Sequence, residues 1–281
     1  MRTIEFDYIS DIHLDTWVDP KSDRHSSAVR KFVSSILVKE CRDNRPSVLV
    51  VAGDVSHCNS QIALFAEVML DNYYKSIVLV PGNHDMASVP GLGSYKDYKA
   101  RLSDVKKRLA GMPGAHHLHG ESVAIGGTRY GGISGWSDYS YSVQKLGSNK
   151  VMGDLSYLRH WDSKNVRLPG KVPHTSPLLI FNEQRCEISR LAAEADVMIT
   201  HFGPIADYIP DRYAGDPVSG FFYFDGTAIL RKRSAPPVWV YGHTHAEAMF
   251  TYESTDLICN PLGRNGEGTP LTGIITYRKT L

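Results

Sequence analysis

The run Ile77-Val78-Leu79-Val80, stopped at once by Pro81-Gly82-Asn83-His84-Asp85, most narrows what this chain can fold into. Apolar residues without alternation read as a strand covered on both faces, as in a parallel sheet flanked by helices. Pro81 has no N–H to give a ladder and Gly82 tolerates backbone angles closed to other residues, so the polar trio emerges just past the strand's carboxyl end. Open α/β sheets bind their ligands there. An amide oxygen, an imidazole and a carboxylate in a row join metal-ligating capacity to a group that moves protons near neutral pH.

The unit recurs upstream. Thr3 to Ile9 alternates as a strand and ends in Ser10-Asp11-Ile12-His13, where a two-residue period puts the Asp11 carboxylate and the His13 imidazole on one face. Val29, Phe32, Val33, Ile36 and Leu37 predict a helix over 26–41. A second unalternated strand over 47–52 delivers Gly53-Asp54, and a helix over 61–73 follows before the Ile77 strand. Strand, loop and helix in repetition argue a parallel α/β sheet with its loops on one edge.

Beyond Asp85, helices are predicted over 95–109 and 179–195, and strands over 122–125, 128–133, 196–200 and 238–241. The last two deliver His201 and Gly242-His243-Thr244-His245, the latter pair of imidazoles again two apart. Segments 248–252, 257–259 and 273–277 read as strands completing a second sheet. Two stretches without a period, 135–177 and 205–237, read as covering insertions on one domain spanning 1–281. The aromatics between Gly135 and Trp161 are expected to wall the cleft, where they could stack a nucleobase; Phe221-Phe222-Tyr223-Phe224 is read first as core.

Apolar content of 42% and charged content of 22% are those of a globular protein. A net charge of +1 leaves no global basic field for nucleic acid, and Lys106-Lys107-Arg108 and Arg231-Lys232-Arg233 read as solvated helix ends. Met1 to Asp7 lacks the apolar region of a signal peptide and no apolar run is long enough to span a bilayer, so a cytoplasmic protein without a membrane partner is expected. Cys41, Cys58, Cys186 and Cys259 show no CxxC spacing and are read as reduced thiols.

Collected, Asp11, His13, Asp54, Asn83, His84, His201, His243 and His245 come from five strand ends. They are too many for one ion. Two ions roughly 3.5–4 Å apart are best held by a bridging carboxylate, and Asp54, central in the order, is the natural bridge. His25, His57, His116, His117, His119, His160 and His174 lie outside this set and are expected at the surface or in hydrogen bonds, His57 first as the cap of the next helix, with a place facing the cleft as its alternative. Arg264, after Asn260-Pro261-Leu262-Gly263, could meet a phosphate but is read first as a surface arginine.

In these blocks the chain resembles the calcineurin-like metallophosphoesterases. Asp11-Ile12-His13 matches the family's D-x-H, Gly53-Asp54 its G-D, Gly82-Asn83-His84-Asp85 its G-N-H-D, His201 its lone histidine and Gly242-His243-Thr244-His245 its G-H-x-H. The resemblance implies an α/β fold, a four-layer α/β/β/α sandwich of two mixed β-sheets, with a dinuclear metal site at the strand carboxyl ends. It implies that Asp11, His13 and His245 hold one metal, that Asn83, His201 and His243 hold the other, and that Asp54 bridges both. His84, beside the ligand Asn83 but outside the ligand set, would donate to the leaving oxygen; Asn83 and His84 would meet the substrate, and Asp85 would orient His84 or a ligand. Oxygen and nitrogen donors without thiolate suit Mn²⁺, Fe, Zn²⁺ or Co²⁺, with Mn²⁺ the first choice.

The activity implied is hydrolysis of a small phosphoester, in-line attack coming from a metal-bridging hydroxide. Gly53-Asp54-Val55-Ser56-His57 and Asp85 depart from the protein serine/threonine phosphatase branch, which carries Val-Asp-Arg-Gly and G-N-H-E. The expected substrate is therefore a phosphodiester, nucleotide-type esters included, with a phosphomonoester as the alternative. A nuclease of the double-strand-break repair type would need a DNA-binding extension after His245, for which about thirty-five residues leave no room. A metal-binding scaffold without activity is the alternative of another class, disfavoured by the complete ligand set and the presence of His84.

Overall fold

The computed structural model describes residues 1–38, 45–87, 89, 91–146, 177–206, 209, 215–268 and 272–281. β1 (Thr3–Ile9), β2 (Val48–Val51), β3 (Ser76–Leu79) and β4 (Ala115–His117) run parallel side by side. Between them lie the short α1 (Leu14–Trp17), α2 (His25–Phe32), α3 (Asn59–Asn72), the one-turn α4 (Asn83–Met86) and α5 (Tyr98–Leu109). A second sheet has the order β5-β6-β7-β8-β10-β9, from β5 (Glu121–Ile125), β6 (Thr128–Gly132), β7 (Val197–Ile199), β8 (Val238–Tyr241), β9 (Ala248–Tyr252) and β10 (Thr255–Cys259). Before β7 come α6 (Ser140–Leu146) and the long α7 (Pro177–Glu194); α8 (Thr227–Leu230) precedes β8.

The side-chain alternation of the strands builds the layers. Val48 and Val50 face inward with Ile4, Phe6, Val78 and Val80, meeting Val197, Ile199, Val238 and Val240 of the second sheet. Leu49, Val51, Ile77 and Leu79 face the other way, onto Val29 of α2, Phe65 and Met69 of α3 and Val105 of α5. On the far side Met198, Trp239 and Leu257 pack against Ile188 and Leu191 of α7. β2 and β3 are thus buried on both faces, which is why the runs Val48–Val51 and Ile77–Leu79 do not alternate. Helices, sheet, sheet and helices form the expected four-layer α/β sandwich.

Three departures from the sequence reading have local causes. The last strand, β11 (Ile275–Thr280), joins the first sheet, antiparallel to β1, and does not complete the second. The helix predicted over 26–41 changes after Phe32 into a π-turn over Val33–Leu37, where Ile274 N–H donates to Leu37 C=O and draws the crossing chain against it. β4 escaped notice because Ala115-His116-His117 carries little β-branched or aromatic signal. No helix among the described residues is long and apolar enough to cross a membrane.

Candidate metal centre and active site

All the loops carrying predicted ligands leave their strands at one edge, and backbone hydrogen bonds lace them together. Asp11 N–H donates to Gly53 C=O at 3.0 Å, His13 N–H to Asp54 C=O at 3.0 Å and Gly242 N–H to His201 C=O at 2.9 Å. Left-handed backbone concentrates there: Asp11, His13, Asp54, His243 and His245 have φ of 51°, 45°, 57°, 67° and 47°. Each such residue costs on the order of 1–3 kcal/mol and persists only where its surroundings enforce it. Asp11 and His13, like His243 and His245, therefore do not converge through an extended two-residue period. The left-handed turns of the loops bring them together. A Cβ on Gly53 would sit 2.5 Å from His201 Nδ1, and one on Gly82 would overlap the Asp54 carboxylate, so close packing of the loops dictates both glycines.

Within this edge, three groups of side chains could each hold a cation, their donor atoms within 4.8 Å of one another: Asp11, His13 and His245; His13, Asp54 and His84; Asp54, His201 and His243. His13 Nε2 lies 3.1 Å from His245 Nε2, which is 3.3 Å from Asp11 Oδ1. Asn83 Oδ1 lies 2.9 Å from His201 Nε2. Asp54 stands among them: Oδ1 accepts the His84 N–H at 2.8 Å, and Oδ2 lies 3.3, 3.7 and 3.9 Å from Nε2 of His201, His13 and His84.

Asp54 Oδ2 is buried and, among the described residues, has no hydrogen-bond partner. A carboxylate oxygen stripped of water and donors is costly unless a cation meets it. The donor set fits two divalent ions of borderline character, with carboxylate, amide and imidazole and no thiolate. Electrostatics of the bare chain points the same way. Burial pushes His13 down to about 4, whereas for His201 burial is outweighed by the Asp54 charge 3.3 Å away, which lifts it to about 9. Asp54 is held well below the carboxylate range because the imidazoles around it outweigh its burial.

A second ring of contacts fixes these side chains. Glu267 holds His245 Nδ1 at 2.7 Å, the Ala52 carbonyl holds His201 Nδ1 at 2.8 Å, and Asp11 Oδ2 accepts the His243 N–H at 2.9 Å. Phe202 and Phe222 press on the His243 ring, with centroids at 4.2 and 4.9 Å. Of the two roles expected for Asp85, the contacts match the one toward a ligand: its carboxylate accepts the N–H groups of Asp54, Ser56 and Gly82 at 2.8, 3.0 and 2.9 Å. It thereby holds the loop that carries Asp54. Behind it, buried Arg101 donates to Asn59 Oδ1 and the Ser56 carbonyl.

His84 is held instead by a chain of four groups. Arg264 Nη2 lies 3.0 Å from His84 Nε2, His84 Nδ1 lies 2.7 Å from His57 Nε2, and His57 Nδ1 lies 2.8 Å from Asp15 Oδ2. An arginine has no acceptor, so His84 Nε2 must accept. His84 Nδ1 then carries the proton and donates to His57 Nε2, and His57 Nδ1–H donates to Asp15. One tautomer assignment satisfies every link. For Asp15, burial is outweighed by the His57 bonds and charge, which bring it to about 2.

The sequence model of the calcineurin-like phosphoesterases matches residues 4–247. The chain belongs to that family. An uncharacterized protein of Acanthamoeba polyphaga mimivirus is similar to this calcineurin-like chain, at 23% identity over 287 residues, covering 92% of this chain and 91% of that protein. The crystal structure of phosphopantetheinyl hydrolase from Mycobacterium tuberculosis shares its fold, with a TM-score of 0.67 and 17% identity over 92% of this chain and 89% of that one.

The structure brings all eight predicted strand-end residues of this calcineurin-like chain to one centre, and adds others that the sequence reading set aside. His57 does not cap α3, whose N-cap is Cys58 without a side-chain bond; it faces the cleft against His84. Arg264 is exposed but reaches the same ring. Asp15 and Glu267 gave no signal, being common acidic residues in loops or short helices. Trp136 and Tyr139 are 1% and 2% exposed and belong to the core, not to the cleft wall, while Tyr157 and Trp161 lie outside the described residues. Phe221, Tyr223 and Phe224 are core, as read, and Phe222 alone of that run presses on a site histidine. His117 and His119, expected at the surface or bonded, have buried Nδ1 atoms without partners among the described residues.

Proposed function

We propose that this chain hydrolyses a small phosphoester with the help of two divalent metal ions, a phosphodiester being the first substrate to test. The observation that carries the reading is Asp54 Oδ2, buried without a donor among the described residues and ringed by three imidazole nitrogens at 3.3–3.9 Å. Asp11, His13 and His245 would hold one ion, Asn83, His201 and His243 the other, and Asp54 both. When bound, the ions supply Lewis-acid activation of water and of the phosphoryl oxygens. Mn²⁺ is the ion to try first, from the oxygen and nitrogen donor set.

The protein's own part is to orient and to move a proton. His84 Nε2, 3.9 Å from Asp54 Oδ2, is the imidazole nitrogen outside the two ligand sets proposed above, which leaves it to pass a proton to the leaving oxygen. His57 and Asp15 hold the ring by its other nitrogen and fix its plane. Glu267 and Ala52 do the same for His245 and His201.

The reading is tested by stripping metal, restoring Mn²⁺ and measuring turnover of bis-p-nitrophenyl phosphate and p-nitrophenyl phosphate, with His84→Ala alongside. Metal-dependent turnover is expected, favouring the diester and falling about 10²–10⁴-fold in the variant while its metal content stays the same. Turnover that persists without metal, or is untouched by His84→Ala, would sink it.

A further inference from the structure

Arg264 makes a contact that hydrolysis by the residues above does not require. Its Nη2 lies 3.0 Å from His84 Nε2, the one ring nitrogen of His84 that His57 leaves open. The side chain is exposed, yet its loop is pinned to the site from several sides. Arg264 N–H donates to Glu267 Oε2 at 2.8 Å, the same carboxylate that holds His245 at 2.7 Å. Gly263 N–H donates to Asp11 C=O at 2.9 Å, and Asn265 N–H to Thr16 Oγ1 at 3.1 Å. Among the described residues the guanidinium's hydrogen bond is to His84, and it stands in no ion pair there. A loop built onto the ligand residues thus delivers a guanidinium that, among the described residues, stands in no ion pair and has most of its donors unspent.

We infer that Arg264 grips the phosphoryl group of the substrate and sets how strongly the site favours phosphoryl charge. The inference rests on the phosphoesterase reading above. A guanidinium is a planar fork that matches two phosphoryl oxygens, and its bond to an anion is stronger than its bond to a neutral imidazole. An incoming phosphoryl group therefore takes the guanidinium over and leaves His84 Nε2, unprotonated in this tautomer, open to take a proton from solvent and pass it to the leaving oxygen. Coulomb attraction scales with charge, so the arginine helps a dianionic monoester more than a monoanionic diester. Whichever ester the site prefers, loss of Arg264 shifts the preference toward the diester.

Calorimetric titration of inorganic phosphate into the Mn²⁺-loaded protein, into Arg264→Gln and into Arg264→Lys tests this, together with kcat/KM for both nitrophenyl esters. Phosphate affinity is expected to fall about tenfold or more in Arg264→Gln and less in Arg264→Lys, which keeps the charge and loses the fork. The monoester kcat/KM should fall several-fold further than that of the diester. Phosphate affinity equal within twofold in all three proteins, or no phosphate binding by the unaltered one, overturns the assignment, as does an unchanged ratio between the esters. If Arg264→Gln fails to fold, Arg264→Lys decides by the same readings. If the unaltered protein turns over neither ester, the hydrolytic reading falls, and the phosphate titration still decides the role of Arg264.

Discussion

His57 shows how much a single side chain's meaning depends on what stands behind it. Between Asp15 and His84, at 2.8 and 2.7 Å, it is a positioning residue for a ring that would meet the leaving group. Replacing it with Ala leaves every candidate ligand in place. The expected outcome for His57→Ala is a kcat about 10- to 100-fold lower, with KM within twofold and metal content per chain unchanged. Asp15→Asn should fall between the two proteins, because the amide keeps one contact to His57 and loses the charge. A rise in KM with kcat intact would show that His57 serves substrate binding instead.

At the scale of elements, β11 matters more than its exposed position in the chain suggests. It extends the first sheet beside β1, and two of its side chains reach across to β10 of the second: Tyr277 donates to Asp256 Oδ2 at 2.6 Å and Lys279 pairs with it at 3.0 Å. For Asp256, burial is outweighed by the bonds from Tyr277, Lys279 and Thr251, so its pKa in the fold lies below the ordinary carboxylate value. The sign follows from linkage. A carboxyl lowered on folding stabilises the protein above its unfolded pKa of about 4 and loses that contribution as pH falls through the folded value. Thermal melts of the metal-free protein should therefore place Asp256→Asn below the unaltered chain at pH 6, with the gap narrowing toward pH 3. A gap independent of pH would mean that the amide fails for a reason other than charge.

The whole molecule stores a conflict that a ligand can relieve. Five left-handed residues and a donorless buried carboxylate oxygen sit at one edge, held there by two sheets and the bonds between loops. Cations that bind only the folded chain stabilise it by mass action, about 2.7 kcal/mol at a hundred times Kd. For a chain of this size that corresponds to a rise in Tm of roughly 5 °C or more. Differential scanning fluorimetry with EDTA and then with excess Mn²⁺ should show that rise, and Asp54→Ala should abolish most of it. Identical melting with and without metal would leave the strained loops without the relief assigned to them.

Much of this was legible in the sequence because strands buried on both faces write unbroken apolar runs, and because each run ends at a residue that can only be a ligand, a base or a turn. Val48 to Val51 and Ile77 to Leu79 carry that signal, and so do Asp54, Asn83, His201 and His243 just beyond their strands. The parallel strands of the first sheet and the eight strand-end residues follow from such local patterns, whereas the four layers were implied by the family resemblance. What the sequence alone could not reach were contacts across long separations. Asp15, His57, His84 and Arg264 are ordinary polar residues until the crossing of loops places them in one chain of hydrogen bonds. The placing of β11 depends likewise on which edge of which sheet lies open to it. Periodicity fixes which way a residue faces; only the packing of whole sheets decides what it faces.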